Sequence, residues 1–433
     1  MANFHYFKLD DRSERDQPLI FSCNLQGLAD SIGLKPAPSV AHELVRDTFL
    51  TNLALAGEAE KPLSYSRHRG FYKRSRYRLP VFTYTNVVRV VAEIVREGLG
   101  IENRTRPGHR GRQSTITAAD ALMTHWRDLD AEPVYDCAAE TIILKSRDEE
   151  RRLLEYVDSP PIRAKRDQVR PINEMLNSLD VEVPAGAKAA RDLLLFEKAG
   201  FDKQGRPTVK RHFVRLTHKA GRRIFAGDFE QHGRFYCAPQ NIPGDARRTM
   251  TINAVPCAEF DFSAMHPRLA YNLAGIPMDG DPYDIGRGFE RKHVKLAVLI
   301  AFNATDPLSA IHALVRDDDD MQISYALATK IVAAIFERHD VIRRMLCADA
   351  GIKLMNLDAT IIMDVLEALV ARGIPCIGIH DSVVLPERYG GDAQAEMEKS
   401  WALHSKGPTL CEIKGKSAIL PHMREMRSTS GVS

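Results

Sequence analysis

The chain has 433 residues, 44% of them hydrophobic and 27% charged, with a formal net charge of +3. Those proportions suit a folded chain of two or three domains and exclude collagen-like, coiled-coil and wholly disordered classes. So mild a charge leaves partners to be read from where the charges sit. The seven cysteines are scattered and odd in number, with no Cys-x-x-Cys pair, which argues against a disulfide framework or a structural zinc and fits a reducing, cytoplasmic setting. The N-terminus has no cationic start followed by an apolar run, and no stretch approaches the ~18 apolar residues of a membrane span, so no membrane association is expected.

In chain order, Lys61–Arg112 is strongly basic, through Arg67, Arg69, Lys73, Arg74, Arg76 and Arg78 and then Arg104, Arg106, Arg110 and Arg112. Within it Val87, Val88, Val91, Ile94 and Val95 mark one face of a helix over Tyr84–Glu97, which Thr85 or Asn86 can cap and Gly98 can close. Arg89 and Arg96 fall on its outer face. A short Leu99–Ile101 segment, a Gly/Arg-rich turn around Gly108–Gly111 and a second helix over Thr117–Arg127 follow. Helix, arginine-rich loop and helix in this order resemble a winged-helix DNA-binding unit, whose exposed arginines, Arg104, Arg106 and Arg110 among them, neutralise phosphates. The plainer reading is a basic, solvated helical domain.

From Ala131 to Val183 the pattern is mixed. Arg163, Lys165, Arg166 and Arg170, among Pro160, Pro161 and Pro171, make a second basic cluster, either a linker or a strand-tracking surface. The acidic run Asp317–Asp320 reads as a solvated loop. The expected organisation is a basic helical N-terminal domain over 1–130, a helical region over 131–224 and a catalytic domain over 225–433, in the α+β class.

The chemistry lies between Phe225 and Pro421. Ala258–Phe262 reads as a short strand, followed by a helix over Pro267–Leu273, so Asp261 sits near a strand's C-terminal end. Met355–Val370 reads as a buried helix, and Ile374–Ile379 and Val383–Leu385 as two strands of a hairpin whose tip is His380-Asp381-Ser382. Two carboxylates on adjacent strands can share a pair of Mg²⁺ ions about 4 Å apart, with Mn²⁺ able to substitute; one ion serves the attacking 3′-hydroxyl and the other the leaving pyrophosphate. Between them, Arg291, Lys295 and Leu299 recur every four residues along one helical face, two cations suited to a triphosphate. Taken singly, Asp261 reads equally as a helix-start carboxylate and Asp381 as a turn residue.

Gly233-Arg-Phe-Tyr236, Gln240-Asn-Ile-Pro243, Asp261-Phe-Ser263, Arg291-x-x-x-Lys295 and His380-Asp-Ser382 occur in an order that resembles family A DNA polymerases and the single-subunit RNA polymerases of phages and mitochondria. The resemblance covers roughly Phe225–Pro386. It implies a right-hand architecture of palm, fingers and thumb, with the thumb in the 131–224 region. It further implies that Asp261 and Asp381, with the carbonyl of Phe262, hold the metals, and that Arg291 and Lys295 hold the triphosphate, Lys295 also donating a proton to pyrophosphate. Arg234 would touch the growing strand's end or the template, Arg268 matches a DNA-polymerase arginine, and His380 would lie near the primer terminus. His266 stands where the DNA polymerases carry the glutamate that blocks a ribose 2′-hydroxyl. Leu299 and Asn303 stand where the fingers helix usually carries an aromatic or methionine and a tyrosine.

The short spacing from Asp261 to Asp381 implies reduced fingers, and no acidic cluster before Gly233 suggests a proofreading nuclease. The expected function is a DNA polymerase, acting on primer-template and deoxynucleoside triphosphates in the replication of a mobile element or plasmid. The alternatives are a single-subunit RNA polymerase, and a DNA-binding regulator or replication initiator with a dead catalytic half. No feature identifies a protein partner.

Overall fold

Side chains of Ser39, Thr83 and Ser324 cap the starts of three helices in the computed structural model of the chain, which describes residues 16–105, 113–129, 131, 133–135, 140–148, 151–190, 193–201, 206–216, 219–316 and 323–417. The described residues form two compact units, one drawn from 141–186 and 219–417, the other from 16–140 and 187–216. Helices and strands are mixed in both.

In the unit that holds most of the N-terminal half, the helix Val40–Glu58 begins where the Ser39 side chain accepts from His42 N–H. It buries Phe49, Leu50, Leu53 and Ala54 completely. Several of its buried polar groups meet loop backbone: Asp47 accepts from Gly27 and Ala29 N–H at 2.7 and 2.9 Å, which offsets part of the burial that raises its pKa. The helix Tyr84–Arg96 buries Val87, Val90, Val91 and Ile94, the i, i+3, i+4, i+7 stripe of an amphipathic helix. Its cap is Thr83, whose hydroxyl accepts from Asn86 N–H, two positions before Thr85 and three before Asn86, the caps that the residue pattern offers.

Ser114–Ala118 is a strand, and the following helix starts only at Asp120 and runs to Asp128. The expected helical start at Thr117 is overridden by pairing of Ser114–Ala118 with both Leu63–Tyr65 and Gly100–Asn103, for which its β-branched Thr115, Ile116 and Thr117 are suited. Ala187–Ala190, Leu193–Phe201 and Pro207–Arg215 make a separate antiparallel sheet.

In the other unit the central sheet runs in the order Ile377–Ile379, Ser382–Pro386, Val255–Phe262, Thr251–Ile252, Val181–Glu182. Ile413–Ser417 also pairs with Val255–Phe262, along the edge opposite Ser382–Pro386. The long helix Gly351–Ala371 packs on this sheet's hairpin and on the strand Asp228–Tyr236. Among the described residues of 131–224, helix is confined to Pro160–Ser178, and the rest lie in strands, turns or loops. That helix carries the second basic cluster, so the stretch that reads as either a linker or a strand-tracking surface is a regular helix. Pro160 and Pro161 occupy its first turn, where a fixed φ and a missing N–H cost nothing. Among the described residues, the six cysteines are free and no helix is long and apolar enough to cross a membrane.

Candidate nucleotidyl-transfer site

Asp261 is the next-to-last residue of Val255–Phe262, opposite Ser382 on one side and Lys414 on the other. Ile379 pairs with Ser382, which leaves His380 and Asp381 as a two-residue turn. Its first residue, His380, has φ 56°, the left-handed geometry such tight hairpins require and usually give to glycine. The turn's second residue is bound back to the sheet, since Phe262 N–H donates to the Asp381 carbonyl at 3.4 Å. Asp261 and Asp381 are therefore one register position apart on neighbouring strands. Burial first, and the Asp381 charge second, push the Asp261 carboxyl up to about 6. A half-buried carboxylate with a second carboxylate's charge beside it makes a ready cation site.

Cations offset this pair. Lys416 and Lys295 both draw the Asp261 pKa down. Glu259, two residues earlier, is neutralised differently: Arg247 grips it with two nitrogens at 3.2 and 3.1 Å, and the Ser382 hydroxyl donates to it at 2.9 Å. That leaves Asp261 and Asp381 as the uncommitted acids. Among the described residues no group of three or more His, Cys, Asp or Glu side chains could cage a metal. Two carboxylates beside a backbone carbonyl do fit Mg²⁺, which keeps waters and takes substrate phosphate oxygens. They do not fit a closed zinc site.

The helix Arg291–Asn303 presents Arg291 and Lys295 to solvent. Arg291 is tied by two bonds, 2.6 and 3.2 Å, to Asp281, and its guanidinium lies 5.0 Å from the Tyr283 ring centre. Tyr283 stands in the field of Asp381, Asp281 and Asp261, and burial pushes its hydroxyl up to about 12. Leu299 is half-buried. Asn303, about 12 Å along the helix axis from Lys295, donates to the Leu299 carbonyl at 2.7 Å and fills the space over Gly351. It is a packing residue of the helix end.

Arg234, His266 and Asp358 form a buried cluster. Asp358 is fully buried; Arg234 Nε donates to it at 3.1 Å, and a second guanidinium nitrogen bonds its other oxygen. His266 Nε2 lies 2.6 Å from the same carboxylate. The Arg234 charge leads the influences that hold the Asp358 pKa down against burial. Gly233, at φ 78°, admits Arg234 to this position, because a Cβ there would meet Phe225 at 2.7 Å and Asn356 at 2.8 Å. His380 is partly buried with Nδ1 lacking a partner among the described residues, and its pKa is lowered, by burial and then by Arg234.

Arg268 does not face a partner strand with free donors. Its guanidinium donates to the backbone carbonyls of Ser263, Leu410 and Gly280, each at 3.2 Å, bracing the loop after the strand. Arg104 lies in the other unit, exposed and paired with Glu102 at 2.8 Å. Arg106 and Arg110 lie outside the described residues, as do Asp317–Asp320.

The residue pattern does not single out Asp358, Lys416 or Tyr283. Asp358 carries a signal, a carboxylate on the apolar stripe of Leu354, Ile361, Ile362 and Val365. Lys416 depends on the pairing of Ile413–Ser417, a distant strand. Tyr283 sits in a loop with no periodicity.

No protein-family model matches the chain, and no curated protein matches it. Among solved structures it is similar to the POL domain of Pol1 from M. smegmatis in complex with DNA primer-template and dNTP. The identity is 12%, over 47% of this chain and 47% of that one, with a TM-score of 0.32. The chain thus spans about half the length of that structure, a likeness too slight to fix a fold or an activity.

Proposed function

We propose that the chain is a template-directed nucleotidyltransferase that extends a 3′-hydroxyl with nucleoside triphosphates, the Val255–Phe262 sheet acting as palm and Arg291–Asn303 as the fingers helix. The observation that carries this reading is the Asp261–Asp381 pair, two mutually repelling carboxylates one register position apart with Lys295 and Lys416 in their field. Mg²⁺ ions held by Asp261, Asp381 and the Phe262 carbonyl would supply activation of the 3′-hydroxyl and stabilisation of the leaving pyrophosphate. Lys295, an exposed ammonium near Asp261, is suited to hold triphosphate oxygens and to give its proton to departing pyrophosphate. Asp281 keeps the Arg291 guanidinium oriented, ready to exchange one bond for a phosphate oxygen. The Asp358 clamp fixes Arg234 and His266 beside this site.

The preferred product is DNA, with His266 as the residue at the sugar gate. One observation favours a second reading, an RNA polymerase: the His266 side chain is nine-tenths buried against Asp358, which leaves little of it to press on a ribose. In the other unit, the order Val40–Glu58, Leu63–Tyr65, Tyr84–Arg96, Gly100–Asn103, Ser114–Ala118, with Ser114–Ala118 central among the antiparallel strands, supports a winged helix that presents Tyr84–Arg96 to duplex DNA.

Primer extension with DNA or RNA template and with deoxy- or ribonucleotides tests the proposal. Incorporation that disappears in Asp381→Asn, while DNA binding persists, is the expected result. Full biological activity in that variant would instead mark the regulator.

A further inference from the structure

From Lys61 to Ala92 the sequence holds eight lysines and arginines and no aspartate or glutamate. The structure divides these cations by what they touch. Arg67 is held by Glu102 at 2.6 Å and Arg76 by Glu140 at 3.3 Å. The Arg78 guanidinium lies over the rings of Phe21, Phe71 and Tyr72 at 5.5, 5.3 and 5.4 Å. These arginines build the loop. Arg69, Lys73 and Arg74 are exposed; the Arg69 guanidinium rests 5.3 Å from the Tyr84 ring centre, and neither Lys73 nor Arg74 forms an ion pair with a described residue.

At the centre of the exposed cations stands Phe71, on the short turn Arg69–Tyr72 and 40% exposed. Its ring is held edge-on by Tyr72 at 5.1 Å and covered by Arg78. A rigid aromatic ring left partly exposed, with cations on both sides of it in the chain, matches a ligand that alternates flat apolar faces with negative charges. An acidic peptide offers the charges without the faces, and a duplex hides its base faces inside the stack.

We propose that the Arg69–Arg74 turn binds an unpaired nucleic-acid strand, one base stacking on Phe71 while Arg69, Lys73 and Arg74 neutralise the neighbouring phosphates. The inference shares with the catalytic reading only the class of partner. It needs neither aspartate, so an inactive catalytic unit leaves it standing, and its own failure leaves primer extension untouched.

The test uses the full chain in chelator, without nucleotide, and reads fluorescence anisotropy of labelled oligodeoxythymidylate, oligouridylate, an abasic strand of equal charge, and a duplex. Phe71→Leu is expected to weaken oligodeoxythymidylate and oligouridylate about tenfold, within the range for loss of one stacked base. It should leave the abasic strand and the duplex unchanged. Lys73→Ala/Arg74→Ala should weaken every strand and lower the slope of log affinity against log salt by about 1.4 on single strands. Phe71→Trp should keep its affinity and show its indole fluorescence quenched by the base-bearing strands alone.

Equal losses on base-bearing and abasic strands in Phe71→Leu would mean that the ring merely supports the loop, and would overturn the proposal. So would no loss on any strand, an unquenched tryptophan, or competition by polyglutamate as strong as that by oligodeoxythymidylate.

Discussion

Replacing Asp261 by asparagine removes a charge that the fold tolerates poorly and leaves the strand's backbone pairing intact. Asp261 is raised to about 6 from an ordinary 3.8, by burial and then by Asp381. Between those two values the folded chain keeps a proton that the unfolded chain has released. Stability therefore falls as pH rises through that window, and the deficit persists above it. The ceiling is about 3 kcal/mol, at 1.36 kcal/mol per pKa unit; solvent reaching the half-buried carboxyl and the lost attraction of Lys416 and Lys295 reduce it to roughly 1–2 kcal/mol. Without divalent cations at pH 7.5, Asp261→Asn should then melt about 2–6 °C above the parent chain. Near pH 4 the difference should vanish, because the parent carboxyl is itself protonated. Mg²⁺ should raise the parent's melting temperature and not the variant's. Scanning fluorimetry at the two pH values, with and without Mg²⁺, reads all of this. A variant less stable than the parent at both pH values would refute the reasoning, since the carboxylate would then be an ordinary structural acceptor.

Three further outcomes follow from the same geometry. Asp358→Ala strands the buried Arg234 guanidinium and should cost about 3–5 kcal/mol in urea unfolding, whereas Asp358→Leu with Arg234→Met, which removes both charges, should cost much less; equal losses would make packing, not charge, the determinant. Gly351→Ala drives a Cβ to within 2.3 Å of Asn303 Oδ1, and Asn303 is held by its bond to Leu299, so a loss of about 1–3 kcal/mol is expected, largely restored by adding Asn303→Ala; no rescue would show that the strain lies elsewhere. In steady-state primer extension, Lys295→Ala should lower kcat by about a hundredfold or more, while Arg291→Ala, whose cation is already engaged by Asp281, should mainly raise KM for the nucleotide; the reverse split would exchange their proposed roles.

What could be read from the residues alone was whatever rested on short-range periodicity. Val87, Val91 and Ile94 announce the helix Tyr84–Arg96, and the polar His380-Asp381-Ser382 between β-rich runs announces the hairpin, because spacing and turn chemistry act within a few residues. Thr115–Thr117 shows the limit of that reading: a stretch compatible with a helix becomes a strand when two distant partners, Leu63–Tyr65 and Gly100–Asn103, offer their edges. The same limit governs the site. Asp261 and Asp381 can be picked out because each follows a strand signal, but which cations answer them depends on where Ile413–Ser417 and Arg291–Asn303 come to rest.

Arg268 and Arg234 carry that argument one step further. In the sequence both are arginines near a palm-like motif, equally fit to meet a phosphate. In the fold Arg268 spends its donors on the carbonyls of Ser263, Leu410 and Gly280, and Arg234 gives its own to Asp358. A guanidinium has five N–H donors and no acceptor, so its availability is set by the acceptors that the fold aims at it. Lys295 differs from both arginines in being exposed, on the face of a helix, with its charge felt at Asp261. On that ground Lys295 is the cation whose loss should be felt in catalysis, and the loss of Arg234 or Arg268 should be felt first in stability.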